Sequence, residues 1–143
     1  GLGDVYKRQP KTMQNNPTYE NVIDEIKGFL MVQANKLTEL GLEKNKIILD
    51  PGIGFGKNLD HNIAILNRLS LFHGLGVPIA IGVSRKSFIA ALSEGEISED
   101  RLPGSLAMAI WAYNQAVQIV RVHDVAETKQ ALKIYKAIVD DGY

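Results

Sequence analysis

With 143 residues, the chain can form one domain with a buried core, and its 45% hydrophobic and 22% charged residues are those of an ordinary globular protein. Lysine plus arginine and aspartate plus glutamate both number 16, which leaves no net field to draw the chain to nucleic acid or a membrane surface. The lack of cysteine excludes disulfides and thiolate metal sites, and no apolar run approaches the roughly 18 residues of a membrane span, so the expected setting is the cytoplasm.

Gly1–Gln9 has neither helix nor strand periodicity and reads as a non-native, adaptor-like leader, which leaves residues 10–143 as the domain. Asn16-Pro17 has the form of a helix start, and Val22, Ile26, Phe29, Leu30, Leu37 and Leu40 follow at helical spacing until Gly41. Ile47–Leu49 is a continuous apolar run, as in a strand buried on both faces. Ile63, Leu66, Leu69 and Phe72 mark a second helix that stops at Gly74 and Gly76. Val77–Val83 is a second strand, with Pro78 suited to its first positions. A short helix starts near Ser87, and after a polar loop Leu106, Ala109, Ile110 and Tyr113 define another helical face. Val117–Val122 is a third strand. Asp124 with Glu127 three residues on has the spacing of a capping box, opening a last helix whose apolar side is Leu132, Tyr135, Ile138 and Val139. Helices alternating with strands predict an α/β fold with parallel strands and helical crossovers. Only three strands are found, and their unpaired edges imply part of a larger sheet or barrel.

Each strand ends in polar residues, and in β/α proteins that end is where ligands meet the chain. After Leu49 come Asp50-Pro51-Gly52-Ile53-Gly54-Phe55-Gly56-Lys57. The Asp50 carboxylate can accept paired hydrogen bonds from an aminopyrimidine-like ring, or it can be a turn aspartate that caps its own loop. The glycine spacing is neither a dinucleotide fingerprint nor a P-loop and signals unusual dihedrals or a close ligand approach. Ser84-Arg85-Lys86-Ser87 sets two cations and two hydroxyls at a strand-to-helix junction, favouring an anion or forming a solvated basic turn. Arg121 and His123, two apart, share one face and can bind a diphosphate. Alternatively, Arg121 forms an ion pair with Asp124 or Glu127 and His123 is structurally satisfied. Lys57, Arg85, Lys86 and Arg121 together can concentrate positive charge locally. His61 and His73 read as ordinary surface residues.

Taken in order, DPGIGFGK, GVSRKSFI, RLPGSLAMA and RVHDVAET, preceded by PKTMQNNPTYE, resemble the dihydropteroate synthase family from Pro10 to about the C-terminus. Ala116-Val117 departs from the Gly-Ala common there. The resemblance implies a TIM (β/α)8 barrel of about 250 residues, of which this chain would be the C-terminal part, with about three strands, four or more helices and the N-terminal strands missing. It implies condensation of 4-aminobenzoate with 6-hydroxymethyl-7,8-dihydropterin diphosphate in folate biosynthesis, giving 7,8-dihydropteroate and diphosphate. In that scheme Asp50 and Lys86 hold the pterin ring, and Arg121 and His123 bind the diphosphate. Ser87 meets the aminobenzoate carboxylate, while Arg85 and Phe55 flank the substrates. Lys86, Arg121 and His123 are the expected catalytic residues. Mg2+ is implied, held through the diphosphate and the missing N-terminal part, with no metal ligand in this chain. Small molecules are the implied partners, sulfonamides would compete at the aminobenzoate position, and the resemblance allows a homodimer for the full-length form. The chain alone is expected to be inactive. A pterin-binding methyltetrahydrofolate methyltransferase would share the pterin-holding residues but leaves SRKS and RVHD without a task. A non-catalytic half-barrel is the other alternative.

Overall fold

The computed structural model describes residues 19–140. The leader expected at Gly1–Gln9 and the helix start expected at Asn16-Pro17 lie outside them. In chain order the elements are α1 (Tyr19–Glu39), a 3-10 turn (Lys44–Lys46), α2 (Leu59–Asn67), a longer 3-10 segment (Leu69–Leu75) and β1 (Ala80–Gly82). There follow α3 (Ser87–Leu92), a 3-10 turn (Ser98–Asp100), α4 (Leu102–Asn114), β2 (Ile119–Arg121) and α5 (Val125–Val139).

β1 and β2 pair in parallel, with Ala80 opposite Ile119, Ile81 opposite Val120 and Gly82 opposite Arg121. The chain between them passes through α3 and α4, the crossover that parallel pairing requires. The strand expected at Ile47–Leu49 joins the sheet only through a parallel bridge between Leu49 and Ile79. The Leu49 N–H donates to the Pro78 carbonyl at 3.0 Å, and the Ala80 N–H donates to the Leu49 carbonyl at 2.9 Å. Extending this ladder in either direction needs an N–H from residue 51 or residue 78, and both are proline. Two prolines therefore trim the first strand to one bridge while leaving it parallel and in register.

The core lies between these extended segments and the helices. Val22, Ile23, Ile26 and Leu30 form the buried stripe of α1, packed with Leu49, Ile65, Phe72, Ile79 and Ile81. At the far end of that helix the expected apolar face is not kept: Leu37 is partly exposed and Leu40 is 84% exposed. The second expected helix is broken into α2 and the 3-10 segment, which ends at Gly76 with a left-handed φ of 74°. Asn58 caps α2, its Oδ1 accepting from the His61 N–H at 2.8 Å. The Trp111 indole N–H donates to the Leu66 carbonyl at 2.7 Å and ties α4 to α2.

Further expectations need correction. His61 is buried on α2, with an Nδ1 that has no hydrogen-bond partner among the described residues. It lies four positions before Ile65, and that face of the helix turns into the core. His73 is half-buried, with Nε2 2.8 Å from the Gln115 carbonyl. Asp124 stands at the N-cap of α5 without a side-chain capping bond, because its carboxylate is turned to Arg85. The C-terminal apolar side of α5 is largely exposed, with Ile138 at 77%.

Candidate functional site

The glycine turn after Leu49 is held through several of its backbone polar groups. Asp50 Oδ1 accepts from the Gly52 N–H at 2.8 Å, the short-range turn contact that Asx residues make. Lys57 Nζ donates to the Gly52 carbonyl at 2.7 Å and to the Phe55 carbonyl at 3.1 Å. The Gly54 N–H donates to Asn62 Oδ1 at 2.9 Å, reaching across to α2. Lys86 Nζ donates to the Ile53 carbonyl and lies 4.8 Å from the centroid of the Phe55 ring, a cation–π distance. Gly54 has φ of 90°, and a Cβ there would also press on the Lys86 side chain at 3.3 Å. Glycine at that position serves both the turn and the lysine.

The Ser84-Arg85-Lys86-Ser87 junction carries a strained residue. Arg85 has φ of 57°, in the left-handed region that non-glycine residues seldom occupy. Its surroundings enforce that conformation. The Arg85 N–H donates to Ser105 Oγ at 2.8 Å, and the Arg85 carbonyl accepts from Arg101 Nη1 at 2.8 Å. The Arg85 guanidinium donates twice to Asp124, at 2.9 and 3.3 Å. These bonds hold the backbone from which Lys86 leaves toward the glycine turn.

On the third segment, Arg121 Nη1 lies 2.7 Å from Asp50 Oδ2. To reach it the guanidinium crosses Gly82, its register partner, where a Cβ would sit 2.6 Å from Nη2. Ser84 Oγ accepts from the His123 backbone N–H at 3.2 Å and lies 2.8 Å from His123 Nδ1. Among the described residues, Nε2 is left as the ring nitrogen available to a ligand.

Two clefts adjoin at this point. One, of about 290 Å³, is lined by Gly82, Ser84, Arg121 and His123 together with Phe55 and Lys86. The other, of about 400 Å³, includes Ile53, Lys57, Asn62 and Ser87 and again Phe55 and Lys86. Burial lowers the Lys57 pKa from its ordinary value to about 8, with Asp50 opposing that shift and Lys86 adding to it. Burial likewise lowers the Lys86 pKa, with Asp50 raising it and Arg121 lowering it. Hydrogen bonding to Asp124 is the main cause of a raised Arg85 pKa. The clefts therefore hold two partly desolvated ammonium groups, Lys57 and Lys86, and the more exposed Arg121 guanidinium around one carboxylate. An anion entering there would favour the charged forms of Lys57 and Lys86.

Asp50, Phe55, Lys86, Arg121 and His123 thus converge from three chain segments. Ser87 lies exposed at the rim of the larger cleft. Arg85 is directed instead to Asp124 and lines neither cleft. The ion pair considered for Arg121 with Asp124 or Glu127 goes to Asp50. Sequence reasoning did not single out Asn62, Arg101 or Ser105, and it passed over Ser84 in favour of Ser87. The one signal for Asn62 was a polar residue four positions before Leu66, on the face α2 buries.

The described residues do not suit a magnesium cage. Asp50 is taken up by Arg121 and the Gly52 N–H, and among the described residues no group of three or more His, Asp or Glu side chains could hold a metal ion.

Parallel strands joined through helices, with a cationic, ring-lined site at their carboxyl ends, define a protein of the α/β class. The family model for pterin binding enzymes matches residues 5–123, and the chain belongs to that family. The dihydropteroate synthase of Escherichia coli K12 is 46% identical over 128 residues, which are 90% of this chain and 45% of that protein. The chain therefore spans about half the length of the curated relatives it matches. Among solved structures, the Yersinia pestis dihydropteroate synthase with a sulfonamide drug superposes with a TM-score of 0.81 at 40% identity, covering 90% of this chain and 47% of that one. The Thermus thermophilus dihydropteroate synthase in complex with 4-aminobenzoate gives 0.79 at 40% identity, covering 91% of this chain and 52% of that one. Among the described residues no helix is long and apolar enough to cross a membrane.

Proposed function

We propose that this chain supplies the C-terminal part of the substrate site of a dihydropteroate synthase. The whole protein would be a cytoplasmic (β/α)8 barrel, and the chain would provide its last strands and helices. It would condense 4-aminobenzoate with 6-hydroxymethyl-7,8-dihydropterin diphosphate on the way to folate. The observation that carries this reading is the convergence of Asp50, Lys86, Arg121 and His123 from three parallel segments beside the Phe55 ring.

The chemistry follows from charge. Asp50 would accept from the ring N–H groups of the pterin, and the Lys86 ammonium would donate to a ring acceptor. Arg121, freed from Asp50, would present its fork of donors to the diphosphate, with His123 beside it. As the C–O bond to the methylene breaks, its electron pair leaves with the diphosphate, where the Arg121 guanidinium and hydrogen bonding from His123 lower the barrier by stabilising the departing charge. The amine nitrogen of 4-aminobenzoate then forms the C–N bond and gives up a proton. No nucleophilic side chain is required. The larger cleft, with Phe55, Lys86 and Ser87, would hold the aminobenzoate, and sulfonamides would compete for it. Magnesium and a homodimeric full-length form remain part of this proposal on resemblance alone.

The test is a chimaera. Residues 10–140 replace the matching part of the E. coli enzyme, and dihydropteroate formation is followed from the two substrates. The proposal expects turnover that Lys86→Ala or Arg121→Ala reduces by about a hundredfold or more. A folded chimaera that binds both substrates and makes no product would overturn it. A pterin-binding methyltransferase, which has no diphosphate to hold, would leave pterin binding insensitive to Arg121→Ala.

A further inference from the structure

We infer that Lys57 and Asn62 are positioning residues that clamp the glycine turn and so place the Phe55 ring against the Lys86 ammonium, fixing the wall of the cleft that receives the aromatic amine. This rests on the function proposed above and assigns roles to two residues outside the set proposed to touch substrate.

The geometry is specific. The turn has positive φ at Gly52, Gly54 and Gly56, so its backbone has little intrinsic preference for one conformation. Something other than side-chain sterics must select it. Asn62 holds the middle of the turn through the Gly54 N–H, and it is itself only 5% exposed on α2, a rigid element that Asn58 caps. Lys57 holds both ends by donating to the carbonyls of Gly52 and Phe55. Between these anchors sit the two groups that shape the cleft. They are the Ile53 carbonyl, which takes Lys86 Nζ, and the Phe55 ring, which lies beside it. Losing either anchor leaves glycines free to rotate, and Phe55, already 37% exposed, would swing toward solvent.

Burial lowers the Lys57 pKa, as expected for an ammonium drawn out of water, and its N–H donors reach the backbone carbonyls of Gly52 and Phe55. Those donors hold the protein's own chain, so Lys57 acts through Phe55. The pterin and diphosphate groups, by contrast, would meet Asp50, Arg121 and His123 in the adjoining part of the site.

The experiment uses the 143-residue chain with Lys57→Met, Asn62→Leu and the conservative Asn62→Asp, whose carboxylate can still accept from the Gly54 N–H. NMR reads the ring-current shift of the Lys86 side-chain protons by Phe55 and the hydrogen exchange of the Gly54 amide, with Trp111 fluorescence reporting the fold. The expected result is a folded chain in which Lys57→Met and Asn62→Leu abolish the ring-current shift, with Gly54 exchange accelerated about tenfold or more in Asn62→Leu and both signals kept in Asn62→Asp. Titration with 4-aminobenzoate should show about tenfold weaker binding in the first two variants, with less than about threefold change for diphosphate. Retention of the ring-current shift in both Lys57→Met and Asn62→Leu overturns the inference, as does equal loss of aminobenzoate and diphosphate binding. Should Asn62→Leu fail to fold, Lys57→Met and Asn62→Asp decide the matter. Failure of the E. coli chimaera to bind 4-aminobenzoate counts against the proposed function, and the NMR contact then judges the clamp on its own.

Discussion

Replacing Gly82 by alanine tests how Arg121 is held. A Cβ at Gly82 would lie 2.6 Å from Arg121 Nη2, 3.2 Å from Cζ and 3.3 Å from Nε. These atoms are the far end of a flexible side chain that is 55% exposed, so the guanidinium can move aside and the backbone need not. The contact it leaves, to Asp50, is solvent-screened and contributes about 1 kcal/mol or less. The substitution also stiffens the unfolded chain, which favours folding by roughly 0.4–1 kcal/mol. The two nearly cancel, and urea unfolding followed by Trp111 fluorescence should show a stability change within about 1 kcal/mol. Diphosphate binding should suffer far more. Loss of charge-assisted hydrogen bonds of about 1.5–3 kcal/mol corresponds to weakening by roughly 10- to 150-fold, which calorimetric titration measures. A variant that unfolds several kcal/mol more easily, or that binds diphosphate as tightly as the wild type, would refute the reasoning.

Other positions give independent checks. At Gly104, in the first turn of α4, a Cβ would lie 2.3 Å from Cγ2 of the buried Ile89, so Gly104→Ala should destabilise by about 1–3 kcal/mol in urea despite alanine's better helix propensity. Ala116 has φ of 61°, so Ala116→Gly relieves about 1–2 kcal/mol of left-handed strain against a smaller entropic cost and should raise the melting temperature. Because burial lowers the folded-state pKa of Lys57 to about 8 from 10.5, the unfolded chain binds more protons between those values and stability should rise with pH across that window. Lys57→Met should flatten this rise, as seen by chemical denaturation at successive pH values. Ser84→Ala removes the oxygen beside His123 Nδ1 and should weaken diphosphate binding by about three- to tenfold with the fold intact, measured by titration.

Much of this was legible in the sequence because it depended on local order. Apolar runs ending in charged residues marked Asp50, Lys86 and Arg121, and parallel register follows from the intervening helices. Even the shortened first strand has its cause in plain view, since Pro51 and Pro78 remove the donors that would have lengthened it. What the sequence did not reveal were choices between distant partners. Asp124 had an α5 N–H within reach and a capping-box spacing, yet its carboxylate bonds Arg85, which lies 39 positions earlier. Arg121 had acidic neighbours nearby in sequence and pairs with Asp50 across Gly82. His61 looked like a surface residue because only the packing of α2 against α1 decides which face is buried. Asn62, Arg101 and Ser105 bond backbone atoms of remote loops, and no local pattern announces such bonds. The departure at Ala116 was visible in the sequence, and the structure supplies its physical meaning in a left-handed φ that glycine would suit.

The central claim is that three strand ends form one substrate site, and chemical-shift mapping of the 143-residue chain with 6-hydroxymethylpterin diphosphate tests it most directly. The account predicts saturable shifts at Asp50, Ser84, Lys86, Arg121 and His123 together, all abolished by Arg121→Ala with the fold preserved. Saturable shifts confined to residues of α4 and α5, or shifts that Arg121→Ala leaves unchanged, would contradict it.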